Sequence, residues 1–388
     1  MRSSGISTRR LPAVEPEPFD VARAGAAAGH PVVYFRGREE LAGIGIAWRS
    51  ADLGAPRPEC ARCMFVLPFE PNSAGSVVIP AVTVVKNDEG VGVHAVPGAE
   101  GLLESLRDPA PLDVPRGRVV AEVPTADEWA GLVRRAVEEI DVGTLSKVVL
   151  ARRVDVAVTR GRPFDLLAAM GERFPNTFLY GWAEERTVFL GASPELLVEK
   201  RGTSVRSFPL AGSAPRGMGH DDDDRIAMAL LTASKEGEEH RIVVDEVARF
   251  LGTVTTGMVV SDTPSVVRLS NIQHLGTEIV ATARPGVSLI DLALGLHPTP
   301  AVAGTPTDAA LHFIKENEPF DRGWYAGALG WMDEGGDGEA IVALRGTLFR
   351  DSIAQVYAGA GIVRDSIPAA EVAETEAKLA AILDVLTG

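Results

Sequence analysis

Three apolar runs crowd the end of the chain: WYAGALGWMD (324–333), EAIVALRGTLFRD (339–351) and AQVYAGAGIVRD (354–365). Only the turn signals EGGDGE and RDS separate them. Runs this close leave no room for a crossover helix, so they read as an antiparallel meander. A helix from about Pro368 to Leu386 follows. Upstream, VVYF (32–35), IGIAW (44–48), MFVL (64–67) and VTVV (82–85) are short β-rich runs. Thr125-Ala126-Asp127-Glu128 is a capping box that opens an amphipathic helix to about Ile140. Lys147 to Val158 alternates as a strand, a helix is expected near Pro163–Phe174, and strands recur at 177–182 and 187–191. A helical stretch runs from about Arg225 to Leu251, interrupted at Gly237. Strands joined by short turns, with helices placed irregularly, indicate an α+β fold and not a doubly wound parallel sheet.

Composition narrows the function classes. The chain has 388 residues, with 38 Lys and Arg against 53 Asp and Glu, a net charge of -15. Such a surface repels phosphate backbones and anionic lipid, so neither nucleic acid nor a membrane surface is an expected partner. A small anion is still admissible where a local Arg or Lys cluster or a metal ion reverses the field. No stretch reaches the ~18 apolar residues of a transmembrane helix, and MRSSGISTRRLPAVEPEP has no apolar core for a secretory signal. Residues 1–20 are expected to be a frayed tail, although the absence of acids before Glu15 is shared with transit peptides. Cys60 and Cys63 form one CARC pair with no second pair to complete a zinc site. Two cysteines fit a reducing cytoplasm.

Several residues can carry chemistry. Alternation puts Lys147, Val149 and Ala151 on one strand face and Val148, Leu150, Val154 and Val156 on the other. Desolvation disfavours an ammonium, so a lysine there can serve as a base; a strand-end lysine with its head in water is the plainer alternative. Glu195, in FLGASPELL, follows Pro194 and precedes two leucines. A carboxyl in apolar surroundings is a candidate general acid, and a helix-start glutamate is the alternative. Glu236 and Glu239 stand at i and i+3; Glu371, Glu374 and Lys378 stand at i, i+3 and i+7 beside an apolar stripe. Carboxylates from two helices suit Mg²⁺, and Glu374 with Lys378 is equally a routine ion pair. Asp221–Asp224 reads as a solvated loop. PLAGSAPRG (209–217) and AGAGIV (358–363) read as Gly-rich turns whose N–H groups can hold a carboxylate. Arg345, inside the apparent strand IVALR, calls for an anionic partner. His274 and His297 read as core histidines.

In order, KVVLAR, FLGASPELL, PLAGSAPRG, SKEGEEH, LSNIQHL, LHPTPAVAG, EPFDRGWYAGALGW, ALR, YAGAGIV and ETEAKL resemble the chorismate-utilising enzymes. That family includes isochorismate, salicylate, anthranilate and aminodeoxychorismate synthases. The resemblance runs from Pro124 to the C-terminus, while residues 1–120 match loosely. It implies one catalytic domain over residues 21–388, with its motifs in 124–388. It also implies two stacked, largely antiparallel sheets with outer helices. Glu239 and Glu374 are then expected to bind Mg²⁺ directly, with Glu236 and Glu371 supporting through water. Many members have Asp where Glu236 stands.

The metal would hold the ring carboxylate, assisted by Lys378 and backbone N–H groups near Gly212, Ser213 and Gly361. Arg345 and Tyr325 would bind the enolpyruvyl carboxylate, His274 would be a ring-side contact, and Gly359 and Ala301 would also be substrate-binding. Relatives that use ammonia carry Gln at the position of Lys147, and aminodeoxychorismate synthases carry a nucleophilic lysine at that of Ala211. The segment 297–304 is similar to that of isochorismate synthases, whereas salicylate synthases often have Thr near Ala301. The resemblance therefore implies a Mg²⁺-dependent isomerase that interconverts chorismate and isochorismate. Lys147 would activate water for attack at C2, and Glu195 would protonate the departing C4 hydroxyl from the other side. A salicylate synthase and a catalytically silent chorismate-binding subunit are the alternatives. A cytoplasmic monomer in siderophore or menaquinone biosynthesis is expected.

Overall fold

The closing runs of the chain make four strands, not three. In the computed structural model, which describes residues 9–10, 16–55, 57–58, 62–106 and 110–388, Ala328–Met332 pairs antiparallel with Gly338–Val342. Gly346–Arg350 pairs antiparallel with Ile353–Ile362. Gly338–Val342 lies against Leu196–Arg201, whereas Gly346–Arg350 lies against Thr187–Ser193. The two hairpins therefore sit in different sheets, and residues 343–345 carry the chain across. The expected meander is corrected here, and so is Arg345, which stands outside any strand with φ 49°. An apolar run looks the same whether one strand continues or two meet, so local pattern could not reveal the break.

One sheet runs, neighbour by neighbour, through Arg116–Val123, Lys147–Arg160, Ile353–Ile362, Gly346–Arg350, Thr187–Ser193, Phe178–Glu184, Val32–Arg36, Glu40–Ser50 and Ser76–Asn87. The other runs through Cys63–Leu67, Ala328–Met332, Gly338–Val342, Leu196–Arg201, Ser204–Phe208, Ile279–Ala283 and Thr255–Val260. All of these pairings are antiparallel. Ser76–Asn87 belongs to both sheets, since its first residues pair with Cys63–Leu67. Between the sheets, Phe35, Tyr180, Trp182 and Phe189 pack against Met64, Leu329, Trp331 and Ile341. The outer face of the first sheet is covered by helices Pro18–Ala27, Leu166–Arg173 and Pro368–Thr387. Helices Ala126–Asp141, Ser234–Val254, Leu289–Leu296 and Thr307–Asn317 pack into the other large core. The architecture is α+β, two stacked antiparallel sheets with helices outside.

Other expectations hold or shift for local reasons. The capping box at Thr125 forms as read. The stretch expected over 225–251 is two helices, His220–Thr232 and Ser234–Val254, broken at extended Ala233. Gly237 lies inside the second helix and interrupts nothing. Asp221–Asp224 is corrected from loop to the first turn of His220–Thr232, where acids offset the helix dipole. Asp223 there is buried; bonds from Arg216 and the Gly217 N–H pull its carboxyl down to about 2. Both Gly-rich segments are corrected from turns to strands, Leu210–Pro215 and part of Ile353–Ile362. Glycine serves close approach in them more than turning. Within the tail expected over residues 1–20, the described residues are structured: a helix begins at Pro18 and Arg9–Arg10 pairs with Ala95 and His94. Cys63 is a buried strand residue, and Cys60 lies outside the described residues. No helix among the described residues is long and apolar enough to cross a membrane.

Candidate active site

Two passages between the sheets run side by side. Thr187–Ser193 leaves the first sheet, Pro194 and Glu195 cross, and Leu196–Arg201 enters the second. Residues 343–345 return the chain in the opposite sense. The Val342 N–H donates to the Glu195 carbonyl at 3.2 Å, and the Ser193 hydroxyl donates to the Val342 carbonyl. The Tyr180 hydroxyl donates to the Leu344 carbonyl at 3.0 Å, which pins the second passage. Strand hydrogen bonding stops at such places, so side chains are released from the sheet faces. Glu195 and Arg345 use that freedom and line one cavity.

The two side chains are left differently poised. Burial pushes the Glu195 carboxyl up to about 8, opposed by the Leu210 N–H and by Lys147. It is therefore largely protonated at neutral pH. Burial lowers Arg345 to about 10, so it stays charged. Its Nη1 has no hydrogen-bond acceptor, and no carboxylate among the described residues lies within ion-pair distance. Arg322, in the same cavity, is the contrast. It pairs with Glu318, donates to Val302 O at 2.9 Å and Val149 O at 2.6 Å, and lies over Phe69. Arg322 is already satisfied, whereas Arg345 Nη1 keeps an open donor.

The helical side of the cavity is acidic but compensated. Glu239 of Ser234–Val254 lies 3.0 Å from Lys147 Nζ, although this contact lacks hydrogen-bond geometry and leaves Nζ without an acceptor. Glu374 of Pro368–Thr387 is 2.6 Å from Lys378, which also donates to Gly359 O at 2.8 Å. Burial pushes Glu374 up, but Lys378 more than offsets it and holds the carboxyl below its usual range. Behind them, Glu371 is buried and 2.7 Å from Lys235; burial raises its carboxyl despite that lysine. Two glycines make this crowding feasible. A Cβ on Gly361 would lie 2.2 Å from Glu239 Oε1 and 2.9 Å from Lys147 Cε. One on Gly212, at φ 73°, would lie 2.8 Å from Glu236 O. Ser213 Oγ and His274 Nδ1 are 3.0 Å apart on paired strands, and burial first of all drops His274 to about 3.

Twelve residues singled out from the sequence thus meet around one cavity: Glu195, Gly212, Ser213, Glu239, His274, Ala301, Tyr325, Arg345, Gly359, Gly361, Glu374 and Lys378. Lys147 adjoins it through Glu239. Glu236 and Glu371 stand outside the lining on the same two helices. The sequence reading missed Arg322 and Tyr357. Tyr357 stacks on Tyr325 with ring centroids 4.9 Å apart. Arg322 was within reach, lying inside the quoted EPFDRGWYAGALGW; nothing local distinguishes Tyr357 from an ordinary strand aromatic. As a test of fit for Mg²⁺, Glu239 and Glu374 offer hard carboxylate oxygens to a common space, each beside a lysine. That donor chemistry suits the ion.

Fold and site define a class: an α+β protein whose cavity joins a protonated carboxyl, a lysine and an uncompensated arginine, which is equipment for acid–base work on a small anion. The chorismate binding enzyme family model matches residues 99–387, and the chain belongs to that family. It is 34% identical to isochorismate synthase MenF of Bacillus subtilis (strain 168) over 333 residues, covering 81% of this chain and 70% of the relative. It is 39% identical to isochorismate synthase DhbC of the same organism over 277 residues, covering 68% and 69%. The solved structure of MenF, the menaquinone-specific isochorismate synthase of Escherichia coli, superposes with a TM-score of 0.88 at 27% identity, covering 98% of this chain and 94% of that one.

Proposed function

We propose that this protein is an isochorismate synthase, a hydroxymutase-type isomerase that interconverts chorismate and isochorismate. The observation that carries the reading is Glu195, a carboxyl buried in the cavity that also holds Arg345 and adjoins Lys147, where burial favours its protonated form. Lys147 takes a proton from water as its oxygen bonds to C2. Glu195 gives its proton to the C4 hydroxyl, the C4–O bond breaks with loss of water, and the ring double bonds shift. General acid and base each contribute on the order of 10²–10⁴ in rate. Arg345 and Tyr325 bind the enolpyruvyl carboxylate. Lys378 and the N–H groups near Gly212, Ser213 and Gly361 bind the ring carboxylate, with Gly359, His274 and Ala301 alongside.

Mg²⁺ would be held by Glu239 and Glu374, supported by Glu236 and Glu371, and would supply positive charge for a carboxylate of the dianion. Such an ion explains how a protein of net charge -15 accepts this substrate. We place the enzyme in the cytoplasm, where relatives named for menaquinone or vibriobactin synthesis suggest quinone or siderophore pathways. The test is product analysis of purified protein with chorismate and Mg²⁺, alongside an EDTA control. Isochorismate without pyruvate, abolished by EDTA, is expected. Fluorescent salicylate with pyruvate would instead indicate a salicylate synthase, and binding without turnover a silent subunit.

A further inference from the structure

Arg345 has no acidic partner among the described residues, yet a long charged side chain in a cavity needs something to hold it in place. Its side-chain contact of defined geometry among the described residues is aromatic: the guanidinium carbon lies over the Phe174 ring, 4.9 Å from the centroid. Phe174 is 2% exposed and stands at the end of helix Leu166–Arg173. Its N–H donates to Met170 O at 2.8 Å, and its carbonyl accepts from the Thr177 hydroxyl at 2.7 Å. The ring is thus fixed at both backbone ends and by the surrounding core. A carboxylate in its place would orient the guanidinium equally well, but it would occupy the donors and cancel the charge, as Glu318 does for Arg322. The negative face of an aromatic ring attracts the cation and leaves the in-plane N–H donors open.

We propose that Phe174 is a positioning residue for substrate recognition, an aromatic platform that aims Arg345 into the cavity without neutralising it. This rests on the reading that Arg345 binds a substrate carboxylate. The positive φ of Arg345 fits the same picture, since a backbone conformation disfavoured for a side-chain-bearing residue persists only where the surroundings fix it. The segment outside the family motifs thereby gains a role, because no motif quoted above includes Phe174.

The test is a double-mutant cycle on KM for chorismate with Phe174→Leu, Arg345→Met and the pair, with Phe174→Tyr as the conservative variant. Phe174→Leu keeps the site apolar but removes the ring. It should raise KM about tenfold with kcat changed less than threefold, and Phe174→Tyr should restore KM. In the Arg345→Met background, Phe174→Leu should add nothing. Should leucine prevent folding, Phe174→Met takes its place in the same cycle. A large effect of Arg345→Met with none from the folded Phe174 variant would overturn the platform alone. Equal Phe174→Leu effects with and without Arg345, or no rescue by tyrosine, would do the same. An unchanged KM in Arg345→Met would remove the substrate role and the platform with it.

Discussion

The cavity has two unlike walls. On the strand side, Glu195 and Arg345 project from adjacent passages between the sheets, one neutralised by burial and the other charged without a counter-ion. On the helix side, Glu239, Glu374 and Glu371 each stand beside a lysine. On the proposed reading, the strand wall offers open donors to a ligand, whereas the helix wall is already compensated by lysines and would exchange partners with a cation or carboxylate. Rigid chemistry and adaptable binding are thereby placed on different elements.

The largest effects should come from the groups that move protons. Glu195→Gln and Lys147→Ala should each lower kcat at least ~100-fold with folding intact by circular dichroism. Near wild-type turnover in either would break the division between the walls. Next comes the pair of arginines. Arg345→Met should raise KM roughly ten- to a hundredfold with little loss of stability, because only a ligand bond is missing. Arg322→Met should instead cost about 3–5 kcal/mol in urea unfolding, since it strands buried Glu318. Matching outcomes for the two would erase the contrast between a satisfied and an open cation.

The helix wall predicts a smaller gradation. Glu374→Gln should weaken Mg²⁺ binding more than tenfold by calorimetry, and Glu236→Gln less, because only Glu374 lines the cavity. A separate effect is on stability. In the unfolded chain the Glu195 carboxyl ionises near its ordinary value of 4.5, whereas in the fold it holds its proton to about 8. The folded state therefore binds more protons in that window, and this group's stabilisation, full below about 4.5, is lost as pH rises to about 8. Glu195→Gln should raise Tm at pH 8 relative to wild type and change it little at pH 4.

The contents of the site were more legible than its construction. Carboxylates at i and i+3, a lysine heading a strand and an arginine among apolar residues are visible because each is an exception to a local pattern. The passages at 194–195 and 343–345 were not visible. Which strand pairs with which is decided by the cores between and outside the sheets, and ALR reads the same in either case. The same limit hid Phe174, whose partner Arg345 lies far away in sequence, whereas Arg322 stands four residues from its partner Glu318. Ala233 overrode Gly237 as the helix break because a glycine costs a helix only about 1 kcal/mol, which packing readily offsets.

At the centre of the account is a carboxyl that the passage between sheets keeps as an acid. Isotope-edited carbon NMR of the carboxyl side chains, with Glu195→Gln identifying the resonance, measures this directly. A titration midpoint near 8 is expected for Glu195 in the free enzyme, with the protonated form dominant at pH 7. A midpoint near the ordinary glutamate value of 4.5 would contradict it.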